Sequence, residues 1–166
     1  LFQAMAHGAL VLSIKHPKGF DGCMQLIQEF CTKHPEIVLV NSKNGLRIVG
    51  QETTALEICQ DLHWRAPAWI AIPCGNGGNL TALFISLLRM KERGMIDHLP
   101  GVIVAQTERA NTLVRWARSG FRTYRPGFFQ NTVASAMNIQ DPVSFPRIEK
   151  FYQKFEMEFF DVPEDD

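Results

Sequence analysis

The sequence has no excess of charge of either sign and no long apolar run. Its 17 Lys and Arg side chains balance 17 Asp and Glu side chains, so the formal net charge at pH 7 is zero. A surface of this kind has no long-range field to attract a polyanion. No apolar stretch reaches the roughly 20 residues that span a bilayer, and the first residues lack the pattern of a signal peptide. We therefore expect no nucleic-acid partner, no membrane partner and a cytoplasmic location.

Cysteine and histidine are few and scattered. The four cysteines form no CxxC pair and the five histidines stand singly, so their spacing predicts neither a disulfide framework nor a metal site. With 46% hydrophobic and 20% charged residues, the composition is that of an ordinary globular chain. Small-molecule chemistry is the class of function that these properties favour.

Apolar runs alternate with amphipathic segments along most of the chain. The pattern predicts strands at residues 9–15, 37–40, 68–73 and 101–106. It predicts helices at residues 21–34, 49–63, 80–93 and 108–119. Continuous apolar strands separated by helices are typical of a parallel sheet covered by helices on both faces. The predicted fold class is therefore α/β. The aromatic side chains of residues 121–130 are expected to pack beneath a loop, with the lining of an entrance as the alternative.

The most informative segment joins the strand predicted at residues 68–73 to the following helix. It reads GNGGN and consists of Gly75, Asn76, Gly77, Gly78 and Asn79. Such a turn directs free backbone N–H groups at one point beside the positive end of a helix dipole, and glycine lets a phosphate approach them closely. The pattern is neither GxGxxG nor GxxxxGK[ST], so a small phosphorylated ligand is favoured over a dinucleotide. Asn79 is predicted to cap the helix, and the alternative to a phosphate site is an ordinary glycine-rich turn with the same cap.

A second polar segment follows the strand predicted at residues 37–40. Asn41, Ser42 and Arg47 offer an amide, a hydroxyl and a planar guanidinium to an oxyanion. The segment lies at the carboxyl edge of the predicted sheet, where open parallel sheets bind their ligands. A plain turn with a solvated arginine is the alternative.

Taken together, these segments resemble the threonine synthase family of fold-type II pyridoxal-phosphate enzymes. The resemblance rests on the runs NSKNGLR, GQET and PCGNGGNLT and, further on, TVASAM, PVS and Arg147. It covers most of the chain up to about Arg147. The GNGGN form favours this family over dehydratases and cysteine synthases, whose loops contain serine or threonine.

The resemblance implies a pyridoxal-phosphate-dependent carbon–oxygen lyase that converts O-phosphohomoserine and water to threonine and phosphate. It assigns residues 75–79 to the phosphate of the cofactor, pyridoxal 5'-phosphate, and Asn41, Ser42 and Arg47 to the phosphate of the substrate. A relative that eliminates phosphate to give a keto acid, and a non-catalytic phosphate-binding module, are the alternatives left open. A homodimer is the expected assembly, although no residue pattern indicates it.

The Schiff-base lysine of the family belongs to a Ser-Phe-Lys motif that the resemblance places upstream of Leu1, and none of the seven lysines here has that setting. We therefore expect an incomplete fold-type II enzyme with no catalytic residue and no activity by itself. All of residues 1–166 would belong to the cofactor-binding region of a longer enzyme. Residues 1–35 are interpreted as the remainder of a smaller lobe, residues 36–150 as the larger, cofactor-phosphate-binding lobe, and residues 151–166 as a tail of uncertain structure that begins as a helix.

Overall fold

A computed structural model describes residues 1–128 and 130–164. The chain divides into two compact units, Leu1–Ile37 and Val38–Asp166. The first unit contains helices α1 (Phe2–Ala6) and α2 (Gly19–Lys33), and α2 confirms the helix predicted at residues 21–34.

The strand predicted at residues 9–15 is wrong. Leu10 and Leu12 are almost entirely exposed, and no strand pairs with this segment in the part of the chain that the structure describes. An apolar run forms a stable strand only where a neighbouring strand accepts and donates its backbone hydrogen bonds. Residues 9–15 have the composition of a strand without that partner.

The second unit is built around a sheet. Its regular elements are, in order, α3 (Gly45–Gln51), α4 (Thr53–Asp61), β1 (Trp69–Pro73), α5 (Gly78–Glu92), β2 (Gly101–Thr107), α6 (Thr112–Arg118), α7 (Phe145–Phe151) and β3 (Met157–Val162). Short 3₁₀ turns lie at Glu108–Ala110, Ser135–Met137 and Tyr152–Lys154. No helix of the described residues has both the length and the apolar character needed to cross a membrane.

The three strands are parallel and lie in the order β1-β2-β3. Trp69 of β1 pairs with Gly101 of β2, and Val102 of β2 pairs with Met157 of β3. Both Val102 and Val104 of the central strand are fully buried. The parallel α/β sheet predicted from the sequence is thus confirmed, and its third strand comes from residues 151–166, where no strand was expected.

Three further boundaries differ from the prediction. Residues 37–40 form no strand, and Val38 and Val40 are largely exposed. The helix predicted at residues 49–63 is two helices that meet at Glu52. The first begins earlier than predicted because Asn44 caps it: the Asn44 side chain accepts a hydrogen bond from the Leu46 N–H at 2.9 Å. The helix predicted at residues 108–119 begins with a 3₁₀ turn before α6.

Helix α5 and the aromatic side chains around Trp116 form the centre of the core. The apolar side chains of α5 with at most 1% exposure are Leu80, Ala82, Leu83, Phe84 and Leu87. Each large apolar side chain buried in this way stabilises the fold by about 2 kcal/mol.

The aromatic side chains of residues 121–130 partly join this core, as predicted. Phe121 meets Trp116 edge-on at a centroid distance of 4.9 Å, and Tyr124 stacks on Phe145 at 3.6 Å. Phe128 is instead 87% exposed, and Phe129 lies outside the described residues.

Candidate functional site

The glycine turn, residues 75–79, connects β1 to α5 at the carboxyl edge of the sheet. A hydrogen bond to β2 fixes the start of this turn, because the N–H of Cys74 donates to the carbonyl of Ala105 at 2.8 Å. Gly77 has a φ of +75° in the left-handed region, and a Cβ on it would lie 2.5 Å from Cδ1 of Ile148. A residue with a side chain is therefore disfavoured twice at this point, by conformation and by space.

The first turn of α5 presents free amides to this edge. Its first helical hydrogen bond runs from the Thr81 N–H to the Gly77 carbonyl at 2.9 Å. Among the described residues, no carbonyl accepts from the N–H groups of Gly78, Asn79 or Leu80. These donors lie at the positive end of a 15-residue helix, which is the arrangement that binds oxyanions.

The prediction that Asn79 caps α5 is wrong. The cap residue is Gly77, and no side chain caps the helix. The left-handed Gly77 starts the helix two residues before Asn79 and cannot accept a hydrogen bond through a side chain. A serine or asparagine cap would occupy one of the amides, whereas glycine leaves them available to a ligand.

A cavity of about 220 Å³ opens in front of these amides. The structure brings seven of the eight predicted site residues to its lining, namely Ser42, Arg47, Gly75, Asn76, Gly77, Gly78 and Asn79. The two segments that the sequence marked separately as oxyanion sites therefore face one space, which is large enough for a phosphate group.

Asn76 joins the two sides of this cavity. Its Nδ2 donates to Oγ of Ser42 at 3.4 Å, and its Oδ1 accepts from the Val143 N–H at 3.4 Å. Asn41, the eighth predicted residue, is not part of the lining; its Oδ1 accepts from the Lys43 N–H at 3.1 Å and closes a turn. The side chain of Asn76 therefore positions Ser42, and that of Asn41 shapes the backbone that carries it.

The cavity is electropositive. Among the described residues that line it, Arg47 carries the one charged side chain, and its guanidinium forms no ion pair with a described carboxylate. Beneath the turn, burial raises the pKa of the Cys74 thiol to about 12, although a hydrogen bond from the Gly77 backbone acts in the opposite direction. Cys74 is therefore a neutral thiol and adds no negative charge to a site suited to an anion.

The lining also contains residues for which the sequence predicted no role, among them Gln51, Ala136 and Met137. Gln51 lies in the GQET run, and its Oε1 is 3.5 Å from the Cβ position of Gly78. Ala136 and Met137 belong to the TVASAM run, so the resemblance marked the segment, but local spacing could not show that a stretch some 60 residues further along returns to the turn.

A second, more apolar cavity of about 390 Å³ adjoins the first and shares Pro73 and Met137 with it. Glu164 lies at its edge with a side chain only 5% exposed. Its carboxylate accepts hydrogen bonds from the hydroxyls of Thr107 and Thr132 and from the Val133 N–H. These bonds lower the pKa of Glu164, that from Thr107 most, so Glu164 holds residues 132–137 against the sheet as an anion.

A fold with a parallel sheet, a glycine turn before a helix and a neighbouring apolar cavity fits a phosphorylated aromatic cofactor. The profile of the family "Pyridoxal-phosphate dependent enzyme" matches residues 1–166. The chain belongs to this family, whose members use pyridoxal phosphate as cofactor.

The relatives with known names narrow this class. "Threonine synthase 2, chloroplastic" of Arabidopsis thaliana is 44% identical over 148 residues, which are 89% of this chain and 28% of that protein. "Threonine synthase" of Methanocaldococcus jannaschii is 34% identical over 147 residues, 89% of this chain and 36% of the relative. The chain thus spans about a third of the length of these relatives.

A solved structure supports the fold. The crystal structure of threonine synthase from Escherichia coli superposes with a TM-score of 0.67 at 23% identity, over 90% of this chain and 36% of that one. The likeness confirms the predicted fold-type II architecture of this group of pyridoxal-phosphate enzymes.

Proposed function

We propose that the protein containing this chain is a threonine synthase, which converts O-phosphohomoserine and water to threonine and phosphate. The observation that carries the proposal is the convergence of two oxyanion-binding segments on one cavity, the glycine turn on one side and residues 42–47 on the other. A reaction of a phosphorylated substrate on a phosphorylated cofactor needs two such groups. The names of the relatives point to the same activity.

Different residues would bind the cofactor and the substrate. The amides of the glycine turn would bind the phosphate of pyridoxal 5'-phosphate, and the apolar cavity beside Met137 would receive its ring. Arg47 and Ser42 would bind the phosphate ester of the substrate, with Asn76 orienting the Ser42 hydroxyl. When bound, the cofactor supplies an electron sink for reactions at the carbon atoms of an amino acid.

Within the described residues, no lysine lines either cavity. Such a reaction needs an amine that reaches the cofactor and moves protons at the substrate. We therefore propose that this chain binds phosphate groups but has no activity by itself, and that the catalytic amine belongs to the complete protein. The chain alone should release no phosphate from O-phosphohomoserine.

The test is product analysis with the complete gene product, loaded with pyridoxal phosphate and given O-phosphohomoserine. Equal amounts of threonine and phosphate are expected, and Arg47→Met should raise KM at least tenfold. A keto acid and ammonia without threonine would identify the phosphate-eliminating alternative. Phosphate binding without any product would identify the non-catalytic binding module.

Two finer expectations belong to the same proposal. The homodimer is to be tested by light scattering on the complete protein. The cytoplasmic location rests on the sequence, and the word chloroplastic in the name of the Arabidopsis relative describes that protein. Fluorescent tagging of the full-length protein in its own cell would decide between these locations.

A further inference from the structure

We propose that Lys43 and Arg147 form a second oxyanion site, separate from the cavity of the glycine turn. The two residues line a cavity of about 350 Å³ together with Val143 and Pro146. Both are half-buried, and both border the same opening. Neither residue was predicted from the sequence to have a role.

The charges of this cavity are not compensated. Its lining contains two cations and no carboxylate among the described residues. Neither the Lys43 ammonium nor the Arg147 guanidinium has a hydrogen-bond or ion-pair partner in the same part of the chain. Arg118 of the same unit, by contrast, is paired with Asp161 at 2.5 Å and 2.8 Å. Two like charges at one opening repel each other, and a bound dianion would turn this cost into attraction.

Both cations stand on backbone that is held in place. The Lys43 N–H donates to Oδ1 of Asn41 at 3.1 Å. The Arg147 N–H donates to the Ser144 carbonyl at 2.9 Å, in the first turn of α7, and the Val143 N–H donates to Asn76. Because these hydrogen bonds fix the backbone at both residues, little backbone ordering would oppose binding.

The cavity of Lys43 and Arg147 shares no lining residue with the cavity of the glycine turn. Ser42 and Asn76 line the cavity of the glycine turn, whereas Lys43, the chain neighbour of Ser42, and Val143, a hydrogen-bond partner of Asn76, line the other. The hydrogen bonds of Asn76 therefore lie between two electropositive spaces, one lined by Arg47 and the other by Lys43 and Arg147. The ligand class is a phosphate group, free or carried by a small molecule, since a planar guanidinium and an ammonium together match its charge and oxygens. The inference does not depend on the reaction that the protein catalyses.

The experiment is a calorimetric titration of the cofactor-loaded complete protein with inorganic phosphate at low ionic strength. Lys43→Met and Arg147→Met should each weaken one binding event at least tenfold and leave a second event within twofold. Arg47→Met should weaken the second event at least tenfold and leave the first within twofold. Lys18→Met and Arg65→Met, which remove exposed cations from other parts of the chain, serve as charge-matched controls and should change neither event by more than twofold.

Three results would overturn the proposal. Unchanged phosphate binding in the Lys43→Met and Arg147→Met variants would show that these cations bind nothing. Loss of the same event in Lys43→Met and Arg47→Met would show one site instead of two. An equal effect of Lys18→Met would indicate a general effect of net charge. Binding that is kept in Lys43→Arg but lost in Lys43→Met would show that the positive charge binds the phosphate. A parallel titration with O-phosphoserine shows whether the site also binds a phosphate that is carried on an organic group.

Discussion

The two sides of the cavity in front of the glycine turn are built in different ways. The glycine turn stands on buried elements, with Cys74 2% exposed before it and Leu80 1% exposed after it. The opposite side, residues 42–47, consists of a turn and the start of α3, a helix that buries only Ile48. The shape of the first side follows from packing and backbone conformation, and the second side supplies charge from the surface. Substitutions in the glycine turn should thus affect folding and binding together, and substitutions in residues 42–47 should affect binding alone.

The largest effect is expected from Gly77→Ala. The left-handed conformation costs a residue with a side chain about 1–2 kcal/mol, and the new Cβ would lie 2.5 Å from Ile148. Together these should lower the free energy of unfolding by about 2–4 kcal/mol and weaken phosphate binding. Urea denaturation and a phosphate titration measure the two effects.

Gly94→Ala is the matched control for this substitution. Gly94 also has a positive φ, +70°, but no atom lies within 4 Å of its Cβ position. Its replacement should cost only the conformational share, about 1 kcal/mol, with phosphate binding unchanged. Equal losses at the two glycines would show that the contact between the turn and α7 has no energetic role.

Arg47→Met should weaken phosphate binding without lowering the stability of the fold. Loss of the guanidinium should weaken phosphate binding at least tenfold, which corresponds to about 1.4 kcal/mol, because charge-assisted hydrogen bonds to phosphate are strong. The urea midpoint should stay where it is, since Arg47 is exposed and has no described ion-pair partner. Arg47→Lys should recover part of the affinity, because lysine keeps the charge but not the planar fork. A large fall in stability would contradict the division between the two sides.

A smaller effect tests the contact between the two sides. In a double-mutant cycle of Asn76→Ala and Ser42→Ala, the coupling energy for phosphate binding should be about 0.5 kcal/mol, because their hydrogen bond is long at 3.4 Å. Asn76→Ala should cost about 1 kcal/mol more in stability than Ser42→Ala, since it also leaves the Val143 N–H without its acceptor. Strict additivity in the cycle would mean that the two sides act independently.

The same contrast explains which features could be predicted from the sequence. The glycine turn and Arg47 were predictable because their chemistry is local: backbone amides beside a helix start and a fixed guanidinium bind oxyanions wherever they occur. The predicted strands at 68–73 and 101–106 correspond to β1 and β2. Those at 9–15 and 37–40 do not form, because strand formation depends on a partner that local composition cannot reveal.

Contacts between residues far apart in the sequence account for the structural features that the sequence did not predict. Strand β3 alternates half-buried with exposed residues, and its Glu158 and Asp161 gave it the composition of an acidic tail. The approach of Met137 to the glycine turn and the position of Glu164 depend on how β3 and residues 132–137 return to the sheet edge. Asn79 was assigned the cap by residue type, whereas the conformation of Gly77 determines where α5 begins.

The smallest effect concerns the segment that Glu164 holds beside both cavities. Hydrogen bonds, that from Thr107 first, lower the pKa of this carboxyl below its ordinary value of 4.5. A group whose pKa is lowered on folding stabilises the protein above its unfolded pKa, and this contribution disappears as the pH falls through the folded pKa. Between pH 7 and pH 5 the stability of Glu164→Gln should therefore differ from the wild type by a constant amount, and below about pH 4.5 the difference should shrink as the wild type loses its advantage. Urea midpoints measured from pH 7 to pH 3 check this, with Glu149→Gln, an exposed carboxyl without a described partner, as control. A difference that stays constant down to pH 3 would mean that the negative charge of Glu164 does not hold residues 132–137, and that packing alone positions this segment.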